Sequence, residues 1–279
     1  MRLRSDCAAL ALACLIGIAS AASAAPNGEL HVCADPNNLP FSNGAEAGFE
    51  NKLAAMVAEA LGRRLSYTWW AQRRGFIRNT LKAEKCDVVM GVPTGFDLVE
   101  ATKPYYRSTY VFVSRQHDHL NLSTLLDPRL RRLVVGVHLV GDDGNNPPPA
   151  QALGQLGIVD NVRGYSIYGD YRQADPPARL IEAVESGEID LAAAWGPLAG
   201  YFAKQSKVPL TVTPIQDGER FAPQQFQFAI SMGVRKGDHA FKDQLNAFID
   251  EHRSDIAALL RGYGVPLIDP PVTASGGHQ

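Results

Sequence analysis

The chain has 279 residues and a formal net charge of −2, with 27 basic and 29 acidic side chains. This length suits one large or two medium domains, and either arrangement can bury an adequate hydrophobic core. The nearly balanced charge argues against nucleic acid or an anionic membrane surface as the main partner.

The first 25 residues predict a secretory signal peptide. The segment has arginines near its start, continues with the apolar run Ala8–Ala19, and ends with the small-x-small cleavage pattern Ala22–Ala24. The apolar run is too short for a permanent membrane-spanning helix. We therefore expect an exported mature protein, cleaved after Ala24 or Ala25, without stable membrane insertion.

The segment Glu29–Gln72 predicts a strand, a loop, an amphipathic helix and a second strand. Leu30–Cys33 is apolar, and apolar side chains recur with helical spacing through Gly48–Arg64. Leu65–Trp70 then alternates like a strand, which completes a βαβ unit with parallel strands. Ligands of such sheets bind beyond the carboxyl ends of the strands, so the loop Ala34–Asn43 is a candidate binding loop.

The next elements extend this unit and then repeat it. A helix over Gly75–Lys85 and the buried strand Cys86–Val92 complete a βαβαβ half-sheet over Glu29–Pro93. The same order of elements returns later in the chain. It comprises strands over Leu133–Leu139, Val162–Tyr168 and Ile189–Trp195 and a helix over Pro177–Ser186. One supersecondary unit is therefore used twice.

Two segments, Tyr105–Val113 and Phe226–Val234, are predicted to connect the halves, and the helical segment Asp238–Tyr263 follows them. The predicted fold class is α/β, with two lobes that each contain a doubly wound sheet, two hinge crossings and a cleft between the lobes. The predicted division is a signal peptide over residues 1–25, lobe 1 over residues 27–112 and 226–266, lobe 2 over residues 113–225, and a flexible tail over residues 267–279.

The cysteines allow two interpretations. Cleavage of the signal peptide would remove Cys7 and Cys14 and leave Cys33 and Cys86, an even pair in an oxidising compartment. These two residues lie on strands that would be neighbours in a doubly wound sheet, so a disulfide is geometrically plausible. The alternative is a pair of small buried thiols, and we favour the disulfide.

Long and unusual strings cover most of the mature chain. They are VCADPNNLPFSN (Val32–Asn43), GFENKLA (Gly48–Ala54), YTWWAQRRGFIRNTL (Tyr67–Leu81), CDVVMGVPTGFD (Cys86–Asp97), PYYRSTYVFV (Pro104–Val113), GDDGNNPPPAQAL (Gly141–Leu153), NVRGYSIYGDY (Asn161–Tyr171), WGPLAGYFA (Trp195–Ala203) and MGVRKGD (Met232–Asp238). Together with export and the two-lobed layout, they resemble the type II periplasmic solute-binding proteins. Within these, they resemble the accessory proteins of quinoprotein (PQQ) alcohol dehydrogenases, the methanol-oxidation J proteins of MxaJ/XoxJ type.

This resemblance implies the two-lobed type II periplasmic binding protein fold and a location in the periplasm. It also implies a non-enzymatic accessory of a PQQ-dependent methanol dehydrogenase, which binds the dehydrogenase, a segment of it or its cytochrome during maturation or activation. The alternative is a small-solute receptor of an ABC-type transporter. We expect a monomer without a cofactor. We also expect no catalytic site, because the seven histidines lack zinc-site spacing and no Gly-x-Ser-x-Gly motif is present.

The resemblance also implies where a ligand carboxylate would bind. Amino-acid receptors of this fold hold that group with an arginine from a Thr-x-x-Arg motif after the third strand, in a bidentate pair. The matching stretch is Thr94–Asp97, so Asp97 stands in the arginine position. A carboxylate there would repel an α-carboxylate, which makes an ordinary amino acid a poor ligand. Arg73 or Arg107 could substitute, although the sequence places neither in the cleft.

The candidate cleft residues are aromatic and polar. Lobe 1 contributes Asp35, Asn37, Phe41, Trp70, Arg73 and Asp97, and lobe 2 contributes Asp142, Asp143, Asn145 and Trp195. Aromatic faces with a few polar groups suit an apolar or peptide-like guest. Tryptophan, tyrosine and arginine also concentrate the binding energy of protein interfaces.

Several of these residues have structural alternatives. Asp35 can cap a turn, and Arg73 can begin a solvated helix. The neighbours Trp69 and Trp70 point to opposite sides of a strand, and we predict that Trp70 is the more exposed of the two. The run Asp142–Asn146 offers oxygen ligands but lacks EF-hand spacing, so it predicts a turn and no metal site.

Overall fold

The computed structural model describes residues 28–139, 146–167 and 174–269. Its strands are β1 Glu29–Ala34, β2 Asn37–Asn38, β3 Ser42–Asn43, β4 Arg64–Trp69, β5 Val88–Pro93, β6 Glu100–Arg115, β7 Val135–Leu139, β8 Val162–Ser166, β9 Leu191–Trp195, β10 Leu210–Pro214 and β11 Gln227–Val234. Its α-helices are α1 Phe49–Ala60, α2 Phe76–Asn79, α3 Pro148–Gln155, α4 Arg179–Ser186, α5 Gly196–Gln205, α6 His239–Glu251 and α7 Arg253–Gly262. Across these ranges, no helix combines the length and the apolar character that crossing a bilayer requires.

A mixed sheet organises the chain, in the strand order β4-β1-β5-β11-β6-β9-β7-β8, with β10 also paired to β6. Its two ends repeat one arrangement. Strand β1 runs parallel between β4 and β5, and β7 runs parallel between β8 and β9. The antiparallel strands β11 and β6 join the two ends. This topology confirms the predicted α/β class and its repeated parallel unit.

The 16-residue strand β6 takes part in both halves of the sheet. Residues Glu100–Thr109 pair with β11, whereas Tyr110–Ser114 pair with β9 and Val111–Arg115 pair with β10. The strand is longer at both ends than the predicted segment Tyr105–Val113, because its opening residues EATKP show no apolar alternation. The exact residues at which one lobe ends and the other begins stay a prediction.

The core of the first half forms around Phe49, the fully buried first residue of α1. The rings of Phe41, Tyr106 and Tyr263 meet it edge-on, with centroids 5.4, 6.1 and 5.9 Å away. Such aromatic pairs each contribute about 0.5–1.5 kcal/mol beyond the area that they bury. They tie the candidate loop Ala34–Asn43 to α1 and β6, so the position of the loop is set by the core.

Two helices differ from the sequence expectations. Helix α2 covers four residues instead of Gly75–Lys85. The Thr80 hydroxyl donates a hydrogen bond to the Phe76 carbonyl at 2.6 Å, and the backbone of Thr80 leaves the helical region. Helix α5 begins at Gly196 and Pro197, directly after β9, where the sequence analysis predicted no helix. Proline is favourable in the first turn of a helix because its missing N–H would have no partner there.

A disulfide joins Cys33 of β1 to Cys86, with the two Cα atoms 5.6 Å apart. Both cysteines are buried beside Phe76, Leu81 and Val89. The bond links the end of β1 to the start of the strand segment that continues into β5. It confirms the disulfide interpretation of the cysteine pair over the two-thiol alternative.

Removing this disulfide should destabilise the protein by roughly 4 kcal/mol, because the bond closes a loop with a sequence separation of 53 residues in the unfolded chain. The measurement is urea unfolding of the wild type and of the double variant Cys33→Ala/Cys86→Ala, each with and without a thiol reductant. The reductant should lower the midpoint of the wild type and leave that of the double variant unchanged. An unchanged wild-type midpoint under full reduction would contradict the expectation.

Candidate functional site

A cavity of about 340 Å³ lies at the carboxyl ends of the parallel strands of both halves. Gly91–Pro93 end β5, Trp195 ends β9, and His138 is the last residue but one of β7; all of them line the cavity. Phe41, from the loop after β1, completes this side. Open α/β sheets bind ligands at this edge, so the cavity lies where the candidate binding loop was expected.

Aromatic rings form a large part of the cavity lining. Tyr106 and Tyr110 lie four residues apart on β6, and both therefore project from the same face of the strand. Trp195 is the cross-strand neighbour of Tyr110, and their ring centroids are 5.4 Å apart. The ring of Phe228 on β11 lies 5.6 Å from Trp195. These rings give the cavity an aromatic wall built from three adjacent strands.

Glu50, the second residue of α1, also lines this cavity and is only 9% exposed. Its backbone N–H donates to the carbonyl of Phe41 at 2.9 Å, which holds the start of the helix against the binding loop. The carboxyl lies over Gly91 of β5, where an added Cβ would be 2.1 Å from Oε1. Gly91 therefore leaves the space that the carboxyl occupies.

The Glu50 carboxyl has no hydrogen-bond or ion-pair partner within the described ranges, and burial raises its pKa to about 8. Its neighbours do not supply a compensating charge. Burial raises the pKa of Tyr105 and of Tyr106 far above the usual value. Burial lowers the pKa of His138 to about 4, so that imidazole is neutral at pH 7. The cavity thus contains one ionisable carboxyl that nothing within the described part of the chain neutralises.

The sequence analysis did not select Glu50, although a signal for it exists. Leu53, Ala54 and Val57 follow it at the i+3, i+4 and i+7 positions, and all three are buried. Glu50 therefore stands on the apolar stripe of α1. An acidic residue on such a stripe indicates a buried carboxyl and therefore a possible functional group. The signal is ambiguous, because an acidic side chain in the first turn of a helix also stabilises the helix.

Two of the predicted site residues, Phe41 and Trp195, line the cavity. Asp35 does not line the cavity and is 2% exposed. Its carboxylate accepts the backbone N–H of Asn37 at 2.8 Å and that of Gln72 at 2.7 Å. Asp35 thereby ties the loop after β1 to the segment after β4, which corresponds to the turn-capping alternative.

Other predicted residues lie away from the cavity lining. Trp70 is 39% exposed and has the Lys85 ammonium 5.1 Å from its ring centroid, whereas Trp69 is half-buried. Arg73 is exposed in the segment before α2, and Asp97 is exposed in the turn after β5. Asn37 is half-buried in the short strand β2, which pairs with β3. The predicted residues Asp142, Asp143 and Asn145 lie outside the described residues.

Arg107, the possible substitute for a carboxylate-binding arginine, lines a different and larger cavity of about 950 Å³ together with Thr94–Phe96. It follows Tyr106 on β6, and neighbouring residues of a strand project from opposite faces. The side chain therefore leaves the sheet on the face opposite Tyr106. The cavity of about 340 Å³ that Glu50 lines is called the Glu50 cavity below. Of the described residues that line it, none is an arginine or a lysine.

The stability of the unliganded protein should fall as the pH rises from about 4.5 to about 8, because the folded state holds a proton on Glu50 that the unfolded state releases. Glu50→Gln should remove this part of the pH dependence, worth roughly 3–5 kcal/mol over the interval. The measurement is urea unfolding at pH 5 and pH 8. Glu59→Gln, on the exposed side of α1, is the matched control and should follow the wild type. Parallel pH profiles for the wild type and Glu50→Gln would refute the expectation.

The comparisons with known proteins agree with this architecture. Residues 30–265 match the family of bacterial extracellular solute-binding proteins, family 3. The chain is 33% identical over 256 residues to protein MoxJ of Methylorubrum extorquens, which covers 86% of this chain and 82% of that protein. Two crystal structures are similar over 86% of this chain and 100% of theirs. They are the periplasmic binding protein XoxJ from Methylobacterium extorquens AM1, at 37% identity and a TM-score of 0.72, and MxaJ from Methlophaga aminisulfidivorans MPT, at 27% identity and a TM-score of 0.73.

These similarities confirm the resemblance on which the sequence analysis relied, both to the type II periplasmic binding proteins and to the MxaJ/XoxJ type among them. The matched region extends from the first residues of β1 to the end of the last helix, so it includes every described residue that lines the Glu50 cavity. The chain therefore belongs to the bacterial extracellular solute-binding proteins, family 3, as a periplasmic solute-binding-like protein of the MoxJ/XoxJ type.

Proposed function

We propose that this protein is a non-enzymatic periplasmic accessory of a PQQ-dependent methanol dehydrogenase, exported by a cleaved signal peptide. It binds the dehydrogenase, or a segment of it, during maturation or activation. The group of relatives supports the dehydrogenase system as the context. The observation that supports the binding role is the Glu50 cavity, which lies at the sheet edge where receptors of this fold bind their ligands. Its lining presents aromatic rings and a carboxyl instead of a guanidinium.

The chemistry of that cavity disfavours the usual guests of the fold. A free amino acid brings a carboxylate that must be paired when it is buried. The cavity lining of the described residues provides no basic side chain for this purpose, and Arg107 lies on the opposite face of the sheet. Tyr110, Trp195 and Phe228 instead resemble the aromatic clusters that anchor a partner segment in protein interfaces.

A small-solute receptor of an ABC-type transporter is the second candidate. The observation in its favour is the cavity volume of about 340 Å³, which falls in the range of small-molecule sites. A receptor of this kind gains stability from its ligand, because the ligand binds the native state and not the unfolded chain. A thermal-shift screen against small metabolites tests it, and a large shift with one metabolite would favour this candidate over the accessory role.

The accessory role predicts a direct complex that depends on the cavity. The measurement is a titration of the purified protein with the mature dehydrogenase and with the dehydrogenase prepared without PQQ. Trp195→Ala should weaken binding at least about tenfold, because truncation of a central aromatic anchor costs roughly 2 kcal/mol or more. Trp70→Ala is the matched control, since Trp70 does not line the cavity, and it should bind within about twofold of the wild type.

Absence of binding to both forms of the dehydrogenase would defeat the proposal. Equal binding by the wild type and Trp195→Ala would defeat the part that places the partner in the cavity. Circular dichroism and the unfolding midpoint of both variants establish beforehand that each one is folded.

A further inference from the structure

The Glu50 carboxyl is a buried ionisable group without a hydrogen-bond or ion-pair partner among the described residues. Burying a carboxyl away from water without a hydrogen bond is costly, and the great majority of buried polar side chains have a partner. Glu50 is nonetheless only 9% exposed, and it lines a cavity. Gly91 keeps the space for it. Two elements, α1 and β5, therefore hold a carboxyl at the cavity surface without satisfying it.

The surroundings define which guest would satisfy this carboxyl. Tyr106, Tyr110, Trp195 and Phe228 surround the same cavity. The π-systems of such rings attract cations, and cages of aromatic side chains are a known site for ammonium groups. The wall is also apolar enough to receive a carbon chain. An anion finds no basic partner among the described lining residues, so the complementary guest carries a positive charge at one end and an apolar stem.

We infer that this cavity binds an alkylammonium group, with the ammonium paired to the Glu50 carboxylate and the carbon stem against the rings of Phe41, Trp195 and Phe228. The group has two possible sources, a free amine and the side chain of a lysine in a partner segment. The second source rests on the proposed function, whereas the first does not. The pairing supplies the hydrogen-bond donors and the positive charge that no described residue provides for Glu50.

This pairing couples binding to a proton. Without a guest, burial favours the protonated carboxyl, whereas the ion pair needs the carboxylate, so binding near pH 7 releases about one proton. Below about pH 8 the affinity should therefore rise about tenfold for each pH unit.

The titratable groups that face Glu50 do not interfere with this dependence. Among the described residues, they are Tyr67 on β4, Tyr105, Tyr106 and Tyr110 on β6, and His138 on β7 across the cavity. Burial raises the pKa of Tyr67 to about 12 and that of the three β6 tyrosines further above the usual value. Burial lowers the pKa of His138 to about 4. Each of these groups keeps one protonation state between pH 6 and pH 8.

The experiment is isothermal titration of the mature protein with n-butylammonium at pH 6, 7 and 8, in buffers of different ionisation enthalpy. The neutral analogue 1-butanol and the anionic analogue butyrate are the matched ligands. We expect binding of butylammonium with proton release and with the stated rise in affinity, and no binding of butyrate. Butanol binding as tight as that of butylammonium, or an affinity independent of pH, would overturn the inference.

Two variants assign the effect to the carboxyl. Glu50→Gln keeps the shape of the protonated side chain and should weaken butylammonium binding at least about tenfold and end the proton release. Gly91→Ala, whose Cβ would take the position of the carboxyl, should weaken it as well, while Glu59→Gln should bind like the wild type. Unchanged binding by a folded Glu50→Gln protein would overturn the inference.

A last pair of ligands separates the two sources. They are N-acetyl-lysine methylamide, which presents a lysine side chain without a free carboxylate, and its norleucine counterpart. Binding of butylammonium alone identifies a free amine, and tighter binding of the blocked lysine identifies a lysine of a peptide segment; either result supports the inference. Failure of both ammonium ligands overturns it, whatever the protein does with the dehydrogenase, and a negative dehydrogenase titration leaves this result intact.

Discussion

Strand β6 is the constraint on which the Glu50 cavity and the Arg107 cavity both depend. Its backbone hydrogen bonds connect it to β11 along its first part and to β9 and β10 along its last part. Because side chains alternate along a strand, Tyr106 and Tyr110 project towards one cavity and Arg107 towards the other. A slip of the register by one residue would exchange the two faces and bring a guanidinium into the aromatic cavity. The long paired strand thus determines the charge of the site as well as its shape.

The site departs from an amino-acid receptor in the sign of its fixed charge. Asp97 occupies the expected arginine position but lies exposed in the turn after β5, so it neither repels nor attracts a guest inside the cavity. The acidic group that matters is Glu50, which enters from the start of α1. The positive end of the helix dipole favours a carboxylate at that position, although burial outweighs this effect and keeps the proton bound near neutral pH.

The sequence was sufficient to predict the order of the elements and the edge of the sheet at which the cavity lies. Buried apolar strands, turn-rich loops and amphipathic helices recur in the same order in the two halves, and the paired cysteines follow from that topology. Phe41 and Trp195 were selected because they follow strands at the carboxyl edge, where the cavity lies. The length of α2 was not predictable from periodicity, because a single hydroxyl, that of Thr80, competes for a helical carbonyl.

The remaining differences between the predicted site residues and the cavity lining concern side chains whose role depends on distant partners. Asp35 was a plausible ligand residue by position, but its two carboxylate oxygens are used by backbone donors of Asn37 and Gln72, and the second lies 37 residues away. Glu50 was missed for the converse reason. Its place on the apolar stripe of α1 is visible in the sequence, but the absence of a partner, which gives that place its significance, is not.

Gly91 and Glu50 constrain each other's replacement. A Cβ at position 91 would lie 2.1 Å from Oε1 of Glu50, so any side chain on β5 at this point displaces the carboxyl end of the Glu50 side chain from its present position. A strand side chain and the Glu50 carboxyl in its present position therefore compete for the same part of the cavity. The guest that the cavity accepts depends on the absence of a side chain at position 91 as much as on the presence of one at position 50.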